Sequence, residues 1–324
     1  VSVVESPGPL QQVEPLALKA AAHPHLLRAF LRDRTGIAGL AIVSTFLFAA
    51  ALGPLIDQRD PNAVDVLRKF RPPSSAFPLG TDHLGRDVLA RLLYGARLSL
   101  GSTLIAAIGI SFIGIVMGVF SGYFGGVVDT LISRVVDILL GFPTFLLALA
   151  VTGVLGPGLR NVLIAITASW WAHYARVVRS AVLAEREKPY IEAARALGAP
   201  TRRIIVRHLL PNIVAPLLVL TTLDLGAILL GISAISFLGL GVAPPAPEWG
   251  AMLSEARIYL GPAPNMMLFP GAAIFLSVLG FNLLGDGLRD VLDPRTRGVG
   301  SPWTLNLRRA DRRRNAKARG RSVR

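Results

Sequence analysis

The sequence predicts an all-α, polytopic membrane protein with six transmembrane helices, and three observations carry that prediction. Mean hydropathy is +0.54, with 52% hydrophobic and only 17% charged residues. The charges are bunched, so long uncharged runs remain at 35–56, 98–128, 138–159, 225–247 and 258–285, with a shorter one at 161–175. About 20 apolar residues suffice for a helix to cross a hydrocarbon core of roughly 30 Å. Lipid offers the backbone no hydrogen-bond partner, so such runs must satisfy themselves as helices. The period-2 alternation of a membrane barrel is absent.

Taken in order, the predicted spans are 36–55, 98–120, 138–155, 163–182, 213–240 and 268–285. The first lies too far in, and is too long, to be the short apolar core of a cleaved signal peptide, and it reads as a retained span. In the second, Gly114, Gly118, Gly122 and Gly126 recur four apart and fall on one helix face, where another backbone can approach closely. Packing within this chain is preferred over a dedicated subunit contact. The inner end of the fourth span is set by Arg176 and Arg179, expected at the headgroups. Pro143, Pro216 and Pro270 sit in or near spans and mark kinks, helix starts or moving parts; the sequence does not choose among these.

An even number of spans puts both ends on one side. With the N-terminus inside, 25 of the 34 Lys and Arg fall on the cytoplasmic face and nine outside, so both termini are predicted to be cytoplasmic. The first external loop runs against this rule. Seven basic residues lie between Arg59 and Arg97, beside Asp57, Asp60, Asp65, Asp82 and Asp87, and nothing in the sequence accounts for them. Residues 1–24 and 301–324 are rich in Pro, Ala and Arg with little to bury, and read as disordered tails. The second tail holds most of the 12 basic residues after Leu288, and on a membrane protein it is expected to face anionic lipid, not nucleic acid. Trp249 is expected at the outer interface, where an indole is comfortable.

Several chemistries are excluded. There is no cysteine, hence no disulfide, thiolate metal site or cysteine nucleophile. A phosphate-binding loop needs Gly-Lys followed by Ser or Thr, and Lys19, Lys69, Lys188 and Lys317 follow Leu18, Arg68, Glu187 and Ala316. Any ATP-derived energy must therefore come from another chain. No His-Glu-x-x-His and no plausible Ser–His arrangement supports an intramembrane enzyme.

Residues 188–211 between the fourth and fifth spans read as two short helices joined by a turn. Pro189 suits a helix start, with Ile191, Ala194 and Leu197 on one face. Gly198 suits a C-terminal cap and Pro200 the first turn of the next helix. Ile204, Ile205 and Leu209 can pack on the first helix, leaving Arg202, Arg203 and Arg207 exposed, and Pro211 closes the segment. A compact helical elbow held against a membrane is a rigid lever.

The run Glu192-Ala193-Ala194, Gly198, then Leu210-Pro211 resembles the EAA loop of ABC importer permeases. Pro78-Leu79-Gly80-Thr81-Asp82-His83-Leu84-Gly85-Arg86-Asp87 before the second span is similar to the dipeptide, oligopeptide and nickel permeases. So are Ile235–Gly241, Glu248-Trp249-Gly250 and the stretch from Phe281 through Asp293-Pro294-Arg295. The resemblance covers roughly residues 25–300 and is closest to the C-type dipeptide subunit. It implies a type I importer fold: a first helix and external loop at 25–97, a transmembrane domain at 98–300, and coupling helices at 188–211. It implies that Glu192, Ala193, Ala194, Leu197, Gly198 and Arg202 meet a partner ATPase. It further implies a homologous permease partner, two ATPase subunits or a paired heterodimer, and an extracytoplasmic binding protein. No cofactor is expected on this chain, since ATP and Mg would sit on the partners. Short peptides are the expected substrate, with nickel chelates or glutathione as alternatives.

Single residues stay open. Asp224 inside an apolar span is costly; it either lines the pathway or is hydrogen-bonded between helices. Trp171 and His173 are further pathway candidates, although a lone His is more often packed than metal-bound. No second ligand stands at convincing spacing beside His173 or His83, and no metal site is predicted. Asp137 is expected to pair with Arg134 or Arg176. A proton-driven secondary transporter using Asp224 or Asp137 is the rival class, but such a carrier needs no docking elbow.

Overall fold

The computed structural model describes residues 30–292. The predicted tails and the Asp293-Pro294-Arg295 stretch lie outside the described residues. Within them the chain is helical, without a strand. In order the helices are α1 (Arg34–Ile56), α2 (Val88–Phe124), α3 (Gly126–Leu140), α4 (Thr144–Leu155), α5 (Leu159–Arg186), α6 (Pro189–Ala196), α7 (Thr201–Ile204), α8 (Leu210–Phe237), α9 (Trp249–Ala256) and α10 (Asn265–Leu292).

Acidic side chains start three of them. Asp33 accepts from the amides of Thr35 and Gly36, Asp87 from Leu89, and Glu248 from Gly250 and Ala251. Each carboxylate satisfies donors that a helix start leaves without partners.

Four helices are long and apolar enough to cross a membrane: α1 through Gly53, α2, α8 from Pro216, and α10. The predicted span at 138–155 is not one straight helix. It breaks at Gly141-Phe142-Pro143 into α3 and α4, which are bent by 90° and reach spanning length only as a pair. Pro143 lacks an N–H and disfavours helical geometry at Phe142, so the first helix stops there. The 28-residue α5 is long enough, but Arg160, Arg176, Arg179 and Arg186 make it less apolar than its neighbours. Four to five candidate spans thus stand where six were expected.

Close contact of long helices builds the bundle: α2 and α5 run parallel, while α1 and α8 each run antiparallel to α10. On α2, Gly114, Gly118 and Gly122 face Tyr174, Val178 and Val182 of α5. A Cβ on Gly118 would stand 2.5 Å from that of Val178, so only glycine permits this approach. Gly114, Gly118 and Gly122 therefore pack inside the chain, whereas Gly126 lies beyond the end of α2, opens α3 and faces open space. Residues of α2, α5, α6, α7, α8 and the segment between α7 and α8 bury a common core that includes Ile110, Ile166, Val178, Ile191, Ile204, Leu209 and Ile228. The start of α1 meets the end of α10, and α8 lies on α10 through Gly226 and Gly285. The short helix α9 is tucked between α2, α8 and α10. Its Trp249 is 0% exposed and donates from Nε1 to the Leu92 carbonyl at 3.1 Å. This corrects the expectation of an interfacial indole: the ring is a core residue, edge-on to Phe46.

The bundle has two distinct ends. The 57–87 loop, the start of α2 and α9 gather at one, hereafter the loop end. The close of α2, the close of α5, α6, α7 and the start of α8 gather at the other, the elbow end.

Candidate functional site

The elbow is built by local rules. Pro189 opens α6, and its last turn closes in a Schellman arrangement. Gly198 has φ +76° and donates to the Arg195 carbonyl at 2.9 Å, while the Ala199 amide donates to Ala194 at 3.0 Å. Pro200 is extended and precedes α7. From Thr201 the backbone stays helical through a π segment at Ile205–Leu209 directly into α8. The second arm of the elbow therefore continues into the fifth predicted span. Pro211 does not end the segment: the helical backbone runs through it, directly after the π turn at Ile205–Leu209.

Burial divides the elbow into two faces. Ile191, Ile204 and Leu209 are buried in the core. Glu192, Ala193, Gly198, Arg202, Arg203 and Arg207 are exposed, and Ala194 is half-buried. Leu197 does not join the buried face as expected. The helix ends at Ala196, so Leu197 becomes its C-cap and points outward, 87% exposed. The outer face thus offers an apolar leucine, a carboxylate and three guanidiniums without ion pairs among the described residues.

Behind that face lie anchors that sequence reading missed. Arg186 donates to the Gly122 carbonyl at 2.9 Å and Arg195 lies over the Tyr123 ring, tying the elbow to the end of α2. Glu185 pairs with Lys188 at 2.6 Å and accepts from the Tyr190 hydroxyl. Burial, reinforced by that carboxylate, pushes the Tyr190 phenol up to about 12. Asp137 pairs with Arg176 at 2.6 Å, as expected, and Asp129 takes a two-pronged bond from Arg179 at 2.6 Å.

The loop end answers the charge excess of the predicted external loop. Arg86 and Arg91 are each 2% exposed in their side chains. Arg86 contacts Asp82 and Glu255, both at 2.5 Å; Arg91 reaches Glu255 at 3.3 Å and Asp82 at 3.7 Å. Arg59 bridges Asp57 at 2.7 Å and Asp87 at 2.5 Å, and Arg68 pairs with Asp65. Burial raises Asp87, and the Arg59 guanidinium holds Asp57 below its usual range. Buried ions demand partners, and here two acids and two bases neutralise one another. Two of the seven basic residues are therefore internal, whereas Arg59, Arg68, Lys69, Arg71 and Arg97 stay exposed.

Asp82, His83 and Glu255 bring ligand atoms within 4.8 Å of one another. Glu255 is the member sequence spacing could not supply, since it lies on α9. Both carboxylates already serve the two buried guanidiniums, so a cation would compete with two fixed positive charges. His83 stacks on Tyr259 with ring centroids 4.8 Å apart, and burial lowers its pKa.

The three pathway candidates separate. Half-buried Asp224 of α8 lies within electrostatic reach of His173 and beside Tyr174 of α5. Trp171 faces the other way and joins the small cluster around Val136 of α3. Two residues apart on a helix, Trp171 and His173 point to different sides.

The chain is thus a bundle of long apolar helices with an exposed elbow joined through its second arm to α8. Residues 114–298 match the family described as the binding-protein-dependent transport system inner membrane component, and the chain belongs to that family. It is accordingly a multi-pass membrane component of a transport system. The dipeptide transport system permease protein DppC of Alkalihalophilus pseudofirmus is 44% identical over 82% of this chain and 87% of that protein. The nickel transport system permease protein NikC of Escherichia coli is 46% identical over 72% of this chain and 85% of that protein. Among solved structures, an inward-facing conformation of the MetNI methionine ABC transporter superposes with a TM-score of 0.50 at 23% identity. It covers 62% of this chain and 96% of that one, a likeness of fold.

Proposed function

We propose that this chain is one half of the translocation pathway of an ATP-driven importer for short peptides, and that its elbow seats in a partner ATPase. The observation that carries this reading is the exposed face of Glu192, Ala193, Leu197, Gly198 and Arg202, on an elbow whose second arm, from Thr201, continues without a break into α8. A surface with an unpaired acid, unpaired bases and an outward leucine is left unsatisfied by its own chain. A rigid helix behind it can carry displacement into the bundle.

Six spans with both termini cytoplasmic follow if the α3–α4 pair and α5 each cross the membrane. That topology places the elbow inside and the 57–87 loop outside. A homologous permease supplies the other half of the pore, as a heterodimer. Two ATPase subunits, identical or paired, hold ATP and Mg, and a binding protein delivers substrate. ATP binding closes the ATPases, the elbows move together and the spans open outward. Asp224 and His173 are proposed on the path; Trp171, turned toward α3, has weaker support.

Dipeptides, nickel chelates and glutathione remain the three cargo classes, and the peptide reading is favoured here. At the cluster nearest to a metal site, Asp82, His83 and Glu255, the carboxylates are already committed to arginine. Uptake of a labelled dipeptide should be competed by other dipeptides and not by glutathione or a nickel chelate. Competition by nickel chelate alone would reassign the cargo. For coupling, Glu192→Trp and Gly198→Trp should detach the ATPases or abolish uptake; a wild-type complex with wild-type uptake in both would sink the docking assignment.

A further inference from the structure

At the elbow one side chain touches both long helices that enter it. Tyr190 is the second residue of α6. Its hydroxyl donates to Oε1 of Glu185, a buried residue one position before the end of α5. The same oxygen accepts from Nδ2 of Asn212, the third residue of α8, at 3.0 Å. That amide also donates to the His208 carbonyl at 2.7 Å, and Glu185 keeps Lys188 at 2.6 Å through its other oxygen. The phenol has thus placed its donor on one span and its acceptor on the other.

These bonds are not needed to form α6, which Pro189 and the Gly198 turn already delimit. Their effect is on orientation. The arm from Thr201 is continuous with α8 and must move with it. The arm formed by α6 has no such continuity: Glu187 caps α5 and Lys188 is extended at φ −76°, ψ 143°, which makes a bend that could swivel. The phenol spans that bend. Because α6 carries Glu192, Ala193 and the Gly198 turn, a swivel at Lys188 would absorb a push delivered to the exposed face.

We propose that Tyr190 is a positioning residue that locks α6 to the ends of α5 and α8, so that displacement of the elbow reaches both spans together. The proposal rests on the docking reading of the elbow. It assigns Glu185 and Asn212 as the two sockets of the lock. Neither they nor Tyr190 touches the exposed docking face.

The test uses the complete transporter in proteoliposomes: this chain, its permease partner, the ATPases and the binding protein, with labelled dialanine as probe. Tyr190→Phe keeps the ring and removes both bonds. It should assemble normally and retain basal ATP hydrolysis, while ATP consumed per dipeptide imported rises by about fivefold or more, the low end of usual coupling effects. A structural defect alone would lower hydrolysis and uptake in proportion and leave that ratio unchanged. Glu185→Gln, which keeps an acceptor for the phenol, should hold the ratio near wild type, whereas Glu185→Ala should raise it. A wild-type ratio in Tyr190→Phe overturns the lock. If Glu192→Trp blocks assembly in the same series, the docking reading survives that failure. If Glu192→Trp is silent as well, both fall together.

Discussion

The loop end and the elbow end carry similar numbers of arginines, and they use them in opposite ways. At the loop end Arg86 and Arg91 are buried against Asp82 and Glu255, and their charge is spent inside the fold. At the elbow end Arg202, Arg203 and Arg207 stand exposed, with no ion pair among the described residues. Between the extremes, Arg176 and Arg179 hold α3 to α5 through pairs that remain partly open to solvent. A basic residue in this chain is thus structural or available according to the acids that packing brings beside it, since Arg59, Arg68 and Arg176 are paired while exposed. Residue type does not decide it.

The comparison breaks most severely at Arg86. Arg86→Ala leaves Asp82 and Glu255 under-compensated in a buried site, at a cost of about 3–5 kcal/mol. Thermal unfolding in detergent should show a large loss of stability, and a melting curve like wild type would mean the network is not closed to water. Arg179→Ala removes a two-pronged but partly exposed pair and should cost about 1 kcal/mol. An effect as large as that of Arg86→Ala would erase the distinction between the ends.

Arg202→Ala with Arg203→Ala should change stability by no more than about 0.5 kcal/mol, as for exposed residues generally. Its effect should appear in association with the ATPases, as a weaker complex with a shallower dependence on salt. The smallest effect is a pH slope at the loop end. Burial lowers His83 from its ordinary value of 6.5, so the unfolded chain binds the proton more readily. Stability is fully present above about 6.5 and declines as pH falls below it. His83→Phe keeps a ring on Tyr259 and should flatten that slope between pH 7 and 5; an unchanged slope would assign it to other groups.

Much of the fold was legible because it follows from local rules. The four apolar spans follow from hydropathy, the Gly198 turn and the Pro189 start from backbone chemistry, and the split of Ile204 and Leu209 from Arg202 and Arg203 from helical periodicity. The misses share another cause. Leu197 turned outward because α6 ended one residue earlier than periodicity implied. Trp249 went to the core because α9 folds back between α2, α8 and α10. The break at Gly141–Pro143 was visible as a proline, but not as a right angle.

By itself the sequence determined that this chain lives in lipid, roughly where its helices run, and that an elbow of EAA type lies between two of them. Each of these depends on residues within a turn or two of one another. Only the tertiary structure decided which charges meet. Glu255 lies 169 residues from Arg86 and 164 from Arg91, and Asn212 lies 22 from Tyr190. Partner choice at such separations is fixed by helix packing. The same packing removes water from Arg86 and Arg91 and leaves Arg202, Arg203 and Arg207 exposed to it, which is why the first set is matched within the chain and the second is not.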